Sequence, residues 1–457
     1  MDPVMLLLAS LGIPRLDLFP WPTPPSAEAV TAALSRLRAL GALEEDTDFA
    51  ARQIGLQQSK SKVRCTPLGY SLAAVPVAPR YAKMLLEAIT ASQQDGTYQL
   101  LGHMCALVAA MSVGNLTSLE SLNDETVASI DDGAADKRKK GPPWMRLRDD
   151  ADGLMWLLGG YSWALGNSEE EAEKFCFQSK ANSRQVSEAH SLMQQLVSLM
   201  KKRLEAKGMA CDLELPFRPS PPTPAQAQRL RDCLAEGLLD RVAVTYPDGG
   251  RNAFVCGDLG KGKPVFVHSS SNVSRYRPLP SMLVFNEIIS TSRPFMRDCI
   301  ALDPIFLSRR ASGQCSLLRL GEFLALPAPR YLKDQDSIMG FASPVYTPLD
   351  HPLPTVEVHV PKDSIFRYKV FAKSLLEGIV IDGLPAPKAQ LLAQPSIILH
   401  APNNARVMGL VNPLWENRVG SRAELLERWQ QDRRFLLDGY LKWLPGAKHE
   451  EVKAAWP

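Results

Sequence analysis

The chain has 457 residues, 45% hydrophobic and 22% charged, with 52 basic side chains against 49 acidic ones. That length is a prior for roughly two to four domains, and a net charge of +3 permits a polyanion partner such as RNA without demanding one. Eight scattered cysteines without a C-x-x-C pair argue against a secreted disulfide framework; seven histidines without an H-x-x-x-H or H-E-x-x-H pair give no zinc signature; and no run of about 18 apolar residues exists to span a membrane.

Taken along the chain, "MDPVMLLLASLGIPR" is a short apolar run that carries Asp2, lacks the basic flank of a signal peptide and stops at Pro14, so it reads as a packing element. "FPWPTPP" (19–25) is a rigid entry to a helix whose N-cap is Ser26 and whose stripe is Val30, Leu34, Leu37 and Leu40, with Gly41 as its left-handed stop. After a polar insert at 46–62, Thr66 starts a further short helix. In "VPVAPRYAKML" (75–85), Pro79 suits the first turn of the next helix because its missing N–H is no loss there. Arg80 and Lys83 then fall in that first turn, where the helix dipole disfavours cations. Either an acidic neighbour or a phosphate backbone would relieve them, and the residues alone leave both open. "YQLLGHMCALVAAMSV" (98–113) is apolar on all sides and reads as a buried helix. Residues 124–140 swing from acidic to basic, a linker by composition that ends in "KRKK" (137–140). A second buried helix is expected at 149–166, interrupted at Gly159-Gly160. The strongest helix signal is 183–208, with Val186, Ala189, Met193, Leu196, Val197, Met200 and Leu204 on one face and Gly208 at its end.

"LPFRPSPPTP" (215–224) is a proline-rich joint, followed by one more helix. The texture then changes to short β-favouring runs, "NAFVC", "PVFVHSS", "MLVFNEII" and "FMRDCIAL" within 252–302, which predict a small OB-like barrel of four or five strands. From about residue 320, "TVEVHV" (355–360) alternates strictly, a capped helix spans 363–378, and a helical tail carries Trp429, Phe435, Tyr440, Trp443 and Trp456 as a packing surface.

No catalytic constellation is present. "GDLGKGKP" (257–264) approaches a phosphate loop, but Pro264 offers neither the hydroxyl nor the N–H that such a loop needs, so a hairpin turn is expected. The carboxylate pairs Asp131-Asp132 and Asp149-Asp150 read as solvated linkers. What remains is binding chemistry. "HSSSNVSRYR" (268–277) offers hydroxyls and arginines for phosphate and sugar, with Tyr276 for stacking, and "STSRPFMRD" (290–298) adds Thr291, Arg293 and Arg297. The competing reading of each is an ordinary polar loop.

These segments, in this order, resemble the C-terminal half of DEAH-box RNA helicases. "FPWPTPPSAEAVTAALSRLRALGAL" looks like their winged helix, "TPLGYSLAAVPVAPRYAKML" like its junction with the helical ratchet, and "PVFVHSSSNVSRYRPLPSMLVFNEIISTSRPFMRDCIALDPIFL" like their OB-fold. "HPLPTVEVHVPKDSIFRYKVFAKSLLEG" and "FLLDGYLKWLPGAKHEEVKAAWP" narrow the likeness to the branch acting on the small-subunit pre-ribosome in the nucleolus. The resemblance implies a multidomain α+β chain: an N-terminal helix and winged helix at 1–79, a helical ratchet bundle at 80–224, an OB-like β-barrel at 225–320 and an α+β C-terminal domain at 321–457. It further implies RNA contacts from Arg80, Lys83, His268, Ser269, Ser270, Thr291, Arg293 and Arg297. The partners it implies are single-stranded RNA (pre-rRNA or snoRNA), pre-ribosomal proteins, an activating cofactor protein, and RecA-like motor domains in cis or in trans. Those motor domains have no counterpart in this sequence, so ATP and magnesium are expected only with them, and no catalytic, cofactor or metal residue is expected here. A fragment, a truncated gene product or one half of a divided helicase is expected. The alternative is a motor-free scaffold of a pre-ribosomal particle. The implied location is nuclear and nucleolar.

Overall fold

A computed structural model describes the chain except residues 14, 17–18, 46–62, 117–148, 210–221, 251, 261, 269–270, 276–277, 292, 312–314, 325, 382–390, 402 and 457. The "KRKK" run, Asp131-Asp132 and Tyr276 therefore lie outside the described residues. The chain is mixed α+β, and it divides into two compact units. Unit one is Met1–Asp303 with the short pieces Cys315–Leu317 and Thr347–Leu349; unit two is the remainder, to Pro457.

Unit one opens with helices α1 (Asp2–Ser10) and α2 (Ala27–Ala39), an antiparallel pair β1 (Leu43–Glu45) and β2 (Val63–Cys65), and α3 (Pro67–Ala73). The expected caps form: Ser26 Oγ accepts from Ala29 N at 3.2 Å, and Thr66 Oγ1 from Gly69 N at 2.9 Å. Gly41 takes a positive φ of 76°, which lets the chain turn straight from α2 towards β1. Then come α4 (Pro79–Asp95), α5 (Gln99–Val113), α6 (Asp150–Leu165), α7 (Glu169–Gln178), α8 (Ser183–Glu205) and α9 (Pro224–Gly237). Helix α5 is buried without a break from Leu100 to Met111, with α4, α6 and α8 packed around it. All seven residues of the expected α8 stripe are buried.

Two expectations fail in α6. The helix runs through Gly159-Gly160 without interruption. Gly160 is there for space: a Cβ would lie 2.2 Å from the Phe175 ring of α7, so the glycine lets the two helices meet closely. The second failure is Asp149-Asp150, which is no solvated linker. Asp149 is 0% exposed and accepts from Arg231 of α9 at 2.6 and 3.3 Å, and Arg231 also reaches Asp152 at 2.9 Å. Asp150 accepts three bonds of 2.7 Å, from Ser271 Oγ, Asn272 N and Cys299 N. One end of α6 thereby holds α9 and the barrel together.

The barrel sheet has seven strands rather than four or five: β3 (Val242–Thr245), β4 (Ala253–Cys256), β5 (Val265–Val267), β6 (Met282–Val284), β7 (Glu287–Ser290), β8 (Pro294–Arg297) and β9 (Ile300–Ala301). Their order is β7-β8-β5-β4-β3-β6-β9, with β5–β8 parallel and every other pair antiparallel. Two apolar runs that looked single are each split, at Phe285-Asn286 and at Asp298, which adopts a φ of 50°. Phe254, Val265, Val273, Leu283, Phe285 and Met296 form the interior. The segment 257–264 joins the antiparallel strands β4 and β5, with Gly260 and Gly262 at φ of 84° and 83°. It is a hairpin connection, and no helix follows it.

Unit two contains α10 (Pro304–Arg310) and two three-stranded sheets. One sheet is β10 (Leu318–Arg319), β13 (Val345–Tyr346) and β14 (His351–Pro352); the other is β11 (Arg330–Leu332), β12 (Ser337–Ala342) and β15 (Val356–His359). Val356, Val358 and Val360 are all buried, as their alternation requires. Helices α11 (Ile365–Leu376), α12 (Ile397–His400), α13 (Ala405–Glu416), α14 (Arg422–Gln431), α15 (Leu437–Leu441) and α16 (His449–Ala455) complete it. The aromatic tail faces inward: Trp429, Phe435, Tyr440 and Trp443 are core, and Trp456 packs edge-on to Trp429 at 5.4 Å.

Two outcomes follow for the α6 junction. Asp149→Ala leaves the buried Arg231 guanidinium with Asp152 as its one remaining carboxylate and should cost about 3 kcal/mol, the low end for a broken buried pair, read by urea denaturation. Burial pushes the Asp150 carboxyl up to about 7, against its three donors. The unfolded value is about 3.9, so the folded state binds this proton more tightly. The stability that Asp150 contributes is full below about pH 4 and is lost as pH rises to 7. Denaturation midpoints of the native chain minus those of Asp150→Asn should therefore fall across that window; a flat difference contradicts the assignment.

Candidate nucleic-acid interface

Strands β5 and β8 lie side by side in parallel, with Phe266 opposite Phe295 and Val267 opposite Met296. Val265 and Met296 point into the barrel and are 0% exposed. Side chains alternate along a strand, so Phe266 and His268 on one strand, and Phe295 and Arg297 on the other, fall on the outer face. There the two phenyl rings are 6.4 Å apart. Arg293, exposed at the end of the β7–β8 turn, holds its guanidinium 4.8 Å from the centre of the Phe266 ring and 6.0 Å from that of Phe295. His268 meets the Phe295 ring edge-on at 5.4 Å. Thr291 is exposed in the same turn, its N–H bonded to Arg293 O at 3.2 Å. The result is a partly exposed aromatic surface with a cation laid across it.

Arg297 is more committed. It donates to Glu287 at 3.1 Å and to Asn115 at the end of α5, and its side chain is only 11% exposed. It borders a cavity of about 190 Å3 shared with Trp156, His268, Ser271 and Asp298. Burial, and then the Arg297 charge, hold the His268 pKa below its usual value, so at pH 7 the ring is neutral and contributes hydrogen bonding rather than charge.

At the start of α4 both cations have carboxylates near them. Arg80 contacts Asp240 at 3.5 Å. Lys83 is 7% exposed and contacts Glu236 at 3.7 Å and Leu40 O at 3.3 Å. Both carboxylates come from the end of α9 and the turn after it, and Gly237 makes the approach close: a Cβ there would lie 2.5 Å from Arg80 O. Each cation has an acidic neighbour, through a single 3.5 Å contact in the case of Arg80, and Lys83 is buried inside the bundle. Helix α9 packs on α4.

Ser269 and Ser270 lie outside the described residues. Thr291, Arg293, His268 and Arg297 come together on one side of the barrel. Phe266 and Phe295 escaped the sequence reading; their signal was the alternation in "PVFV" and "PFMR", which leaves a large aromatic on the face opposite the core. Among the described residues no group of three or more His, Cys, Asp or Glu could hold a metal ion. No helix built from them is long and apolar enough to cross a membrane. The stretch resembling a phosphate loop is the connection between the antiparallel strands β4 and β5.

Three family models match the chain: a ratchet-like helicase-associated domain over residues 78–155, an oligonucleotide/oligosaccharide-binding fold over 230–312, and the C-terminal domain of the DEAH helicase DHX37 over 384–457. Across its whole length the chain is 30% identical to a human protein described as a probable ATP-dependent RNA helicase DHX37, of which it covers 39%. It is also 30% identical to the putative ATP-dependent RNA helicase rha-2 of Caenorhabditis elegans and 28% identical to the probable ATP-dependent RNA helicase kurz of Drosophila melanogaster, covering 38% of each. The chain thus spans less than two-fifths of the length of these relatives.

Lys83→Ala should destabilise unit one by about 3 kcal/mol by removing the cation opposite a buried carboxylate. It should leave RNA affinity unchanged once the protein is folded. Denaturation together with RNA titration well below the melting temperature separates the two effects, and a selective loss of RNA binding would return Lys83 to the interface.

Proposed function

Since the chain belongs with the DEAH-box RNA helicases of the DHX37 type in its ratchet, OB-fold and C-terminal domains, we propose that it is the RNA-gripping accessory region of such an ATP-dependent helicase, working in small ribosomal subunit biogenesis in the nucleolus. The observation that carries this reading is the outer face of β5 and β8. Phe266 and Phe295 offer ring faces for stacking bases, Arg293 offers a cation to a phosphate, and His268 and Thr291 offer hydrogen bonds to sugar and phosphate. Stacking tolerates any base and phosphate contacts carry no sequence, so the grip is sequence-independent. That suits an element meeting a moving strand of pre-rRNA or snoRNA. ATP hydrolysis, with its magnesium, falls to RecA-like motor domains supplied in cis or in trans. Pre-ribosomal proteins and an activating cofactor protein are the proposed further partners.

A second reading, a scaffold that does not handle RNA, draws support from the acidic partners of Arg80, Lys83 and Arg297. Fluorescence anisotropy with a labelled single strand of about 12 nucleotides, within the site size of such folds, decides between them when run across potassium chloride. Affinity should fall with salt, and Arg293→Gln should lower the log–log slope by about 0.7, the value for one single-strand phosphate. Phe266→Leu and Phe295→Leu keep apolar bulk but lose the ring, and each should weaken binding by about 1–3 kcal/mol. A flat salt response, with all three variants equal to the native chain, would favour the scaffold.

A further inference from the structure

A second cavity, of about 540 Å3, opens where α4 begins. Its walls include Asp2, Arg36, Arg80, Arg241, Asn286 and Glu287. Tyr81 donates to Asn286 at 2.8 Å and so ties this end of α4 to the barrel. Arg36, Arg80 and Arg241 all line the space, and the carboxylates beside them can be accounted for one by one. Asp2 is taken by Arg36 through two bonds, of 2.8 and 2.6 Å. Glu287 is taken by Arg297. Asp240 reaches only one nitrogen of Arg80, at 3.5 Å, and Nη1 of Arg80 is buried with no acceptor. Arg241 makes no side-chain hydrogen bond or ion pair among the described residues, and its Nε is likewise buried without an acceptor.

Two arginines thus share one long ion pair at the edge of a roomy polar cavity. Burial, and then the Arg80 charge, lower the pKa of Arg241, the direction expected where like charges crowd and a counter-anion is wanting; Asp240 and Asp258 oppose that shift without bonding to Arg241. Buried N–H groups without acceptors are rare in folded proteins, and an unseen ion is one recognised cause. Guanidinium groups match phosphate oxygens in charge and geometry. The positive end of α4, seventeen residues long, adds to the field.

We propose that this cavity is a binding site for an oxyanion of the phosphate class, held between Arg80 and Arg241. The site lies off the β5–β8 face and does not depend on it. The phosphate comes either from an RNA backbone or from a free ion, and two arms of one experiment separate these sources. In the first arm the full chain is melted in inorganic phosphate or pyrophosphate against chloride at matched ionic strength. The melting temperature should rise saturably with either anion, because a ligand bound only by the folded state stabilises it. Arg241→Gln should abolish that rise, and without phosphate it should melt no lower than the native chain, because a crowded charge has been removed. Arg241→Lys, which keeps the charge, should retain part of the rise and serves if the glutamine variant folds poorly. Arg293→Gln should retain all of it, so failure of the barrel face and failure of this site are told apart.

In the second arm Arg241→Gln is titrated with the labelled single strand. About tenfold weaker binding at low salt assigns the phosphate to RNA; unchanged RNA binding together with the lost phosphate response assigns it to a free ion. No saturable rise with either anion and no change in RNA binding overturns the proposal, as does a rise that Arg241→Gln leaves intact.

Discussion

Everything proposed for unit one depends on the buried junction at the start of α6. Asp149 and Asp150 are adjacent in sequence but face opposite tasks, one holding Arg231 of the bundle and the other holding three donors from the barrel. A carboxylate removed from water is costly unless its acceptor sites are filled. Here they are filled by groups from segments distant in the chain. The penalty for leaving them unfilled is what makes the relative placement of bundle and barrel specific. Arg297 repeats the theme on a smaller scale by joining β8 to the turn after α5.

That placement governs which cations can serve a ligand. Lys83 and Arg80 have carboxylates beside them because α9 packs on α4, and Arg297 has Glu287 beside it because β7 and β8 are neighbours. Arg293 and Arg241 are different. The first lies over aromatic rings at a turn, the second at the wall of a cavity. The barrel–bundle body therefore sorts its basic residues into those that hold it together and those left for something else, with Arg80, held by a single 3.5 Å contact, between the two groups. Composition, with its small excess of positive charge, gives no hint of that division.

Much of the helical framework was legible in the sequence because its signals are local. The α8 stripe, the all-round burial of α5, the Ser26 and Thr66 caps, the left-handed stops and the valine alternation of β15 depend on neighbours only a few residues away, and each is realised. What failed was set by distant partners. Asp149-Asp150 looked like linker because Arg231, Ser271 and Cys299 lie some 80 to 150 residues further on. Gly160 looked like a break because the Phe175 ring it accommodates belongs to another helix. At the candidate interface the polar members were visible and the rings were not. Phe266 and Phe295 resemble core residues until the parallel pairing of β5 with β8 turns them outward together.

The β5–β8 pairing also constrains how the ring surface comes into being. The two phenylalanines are about thirty residues apart in the chain, with β6 and β7 between them, and they become neighbours only when the parallel ladder closes. A contact of that sequence separation forms late, after the local hairpins. An incompletely folded chain would carry every residue of the platform and still lack the platform. During synthesis the surface arises only once Phe295 and its strand have left the ribosome, so a nascent chain that ends short of β8 has no paired rings to offer.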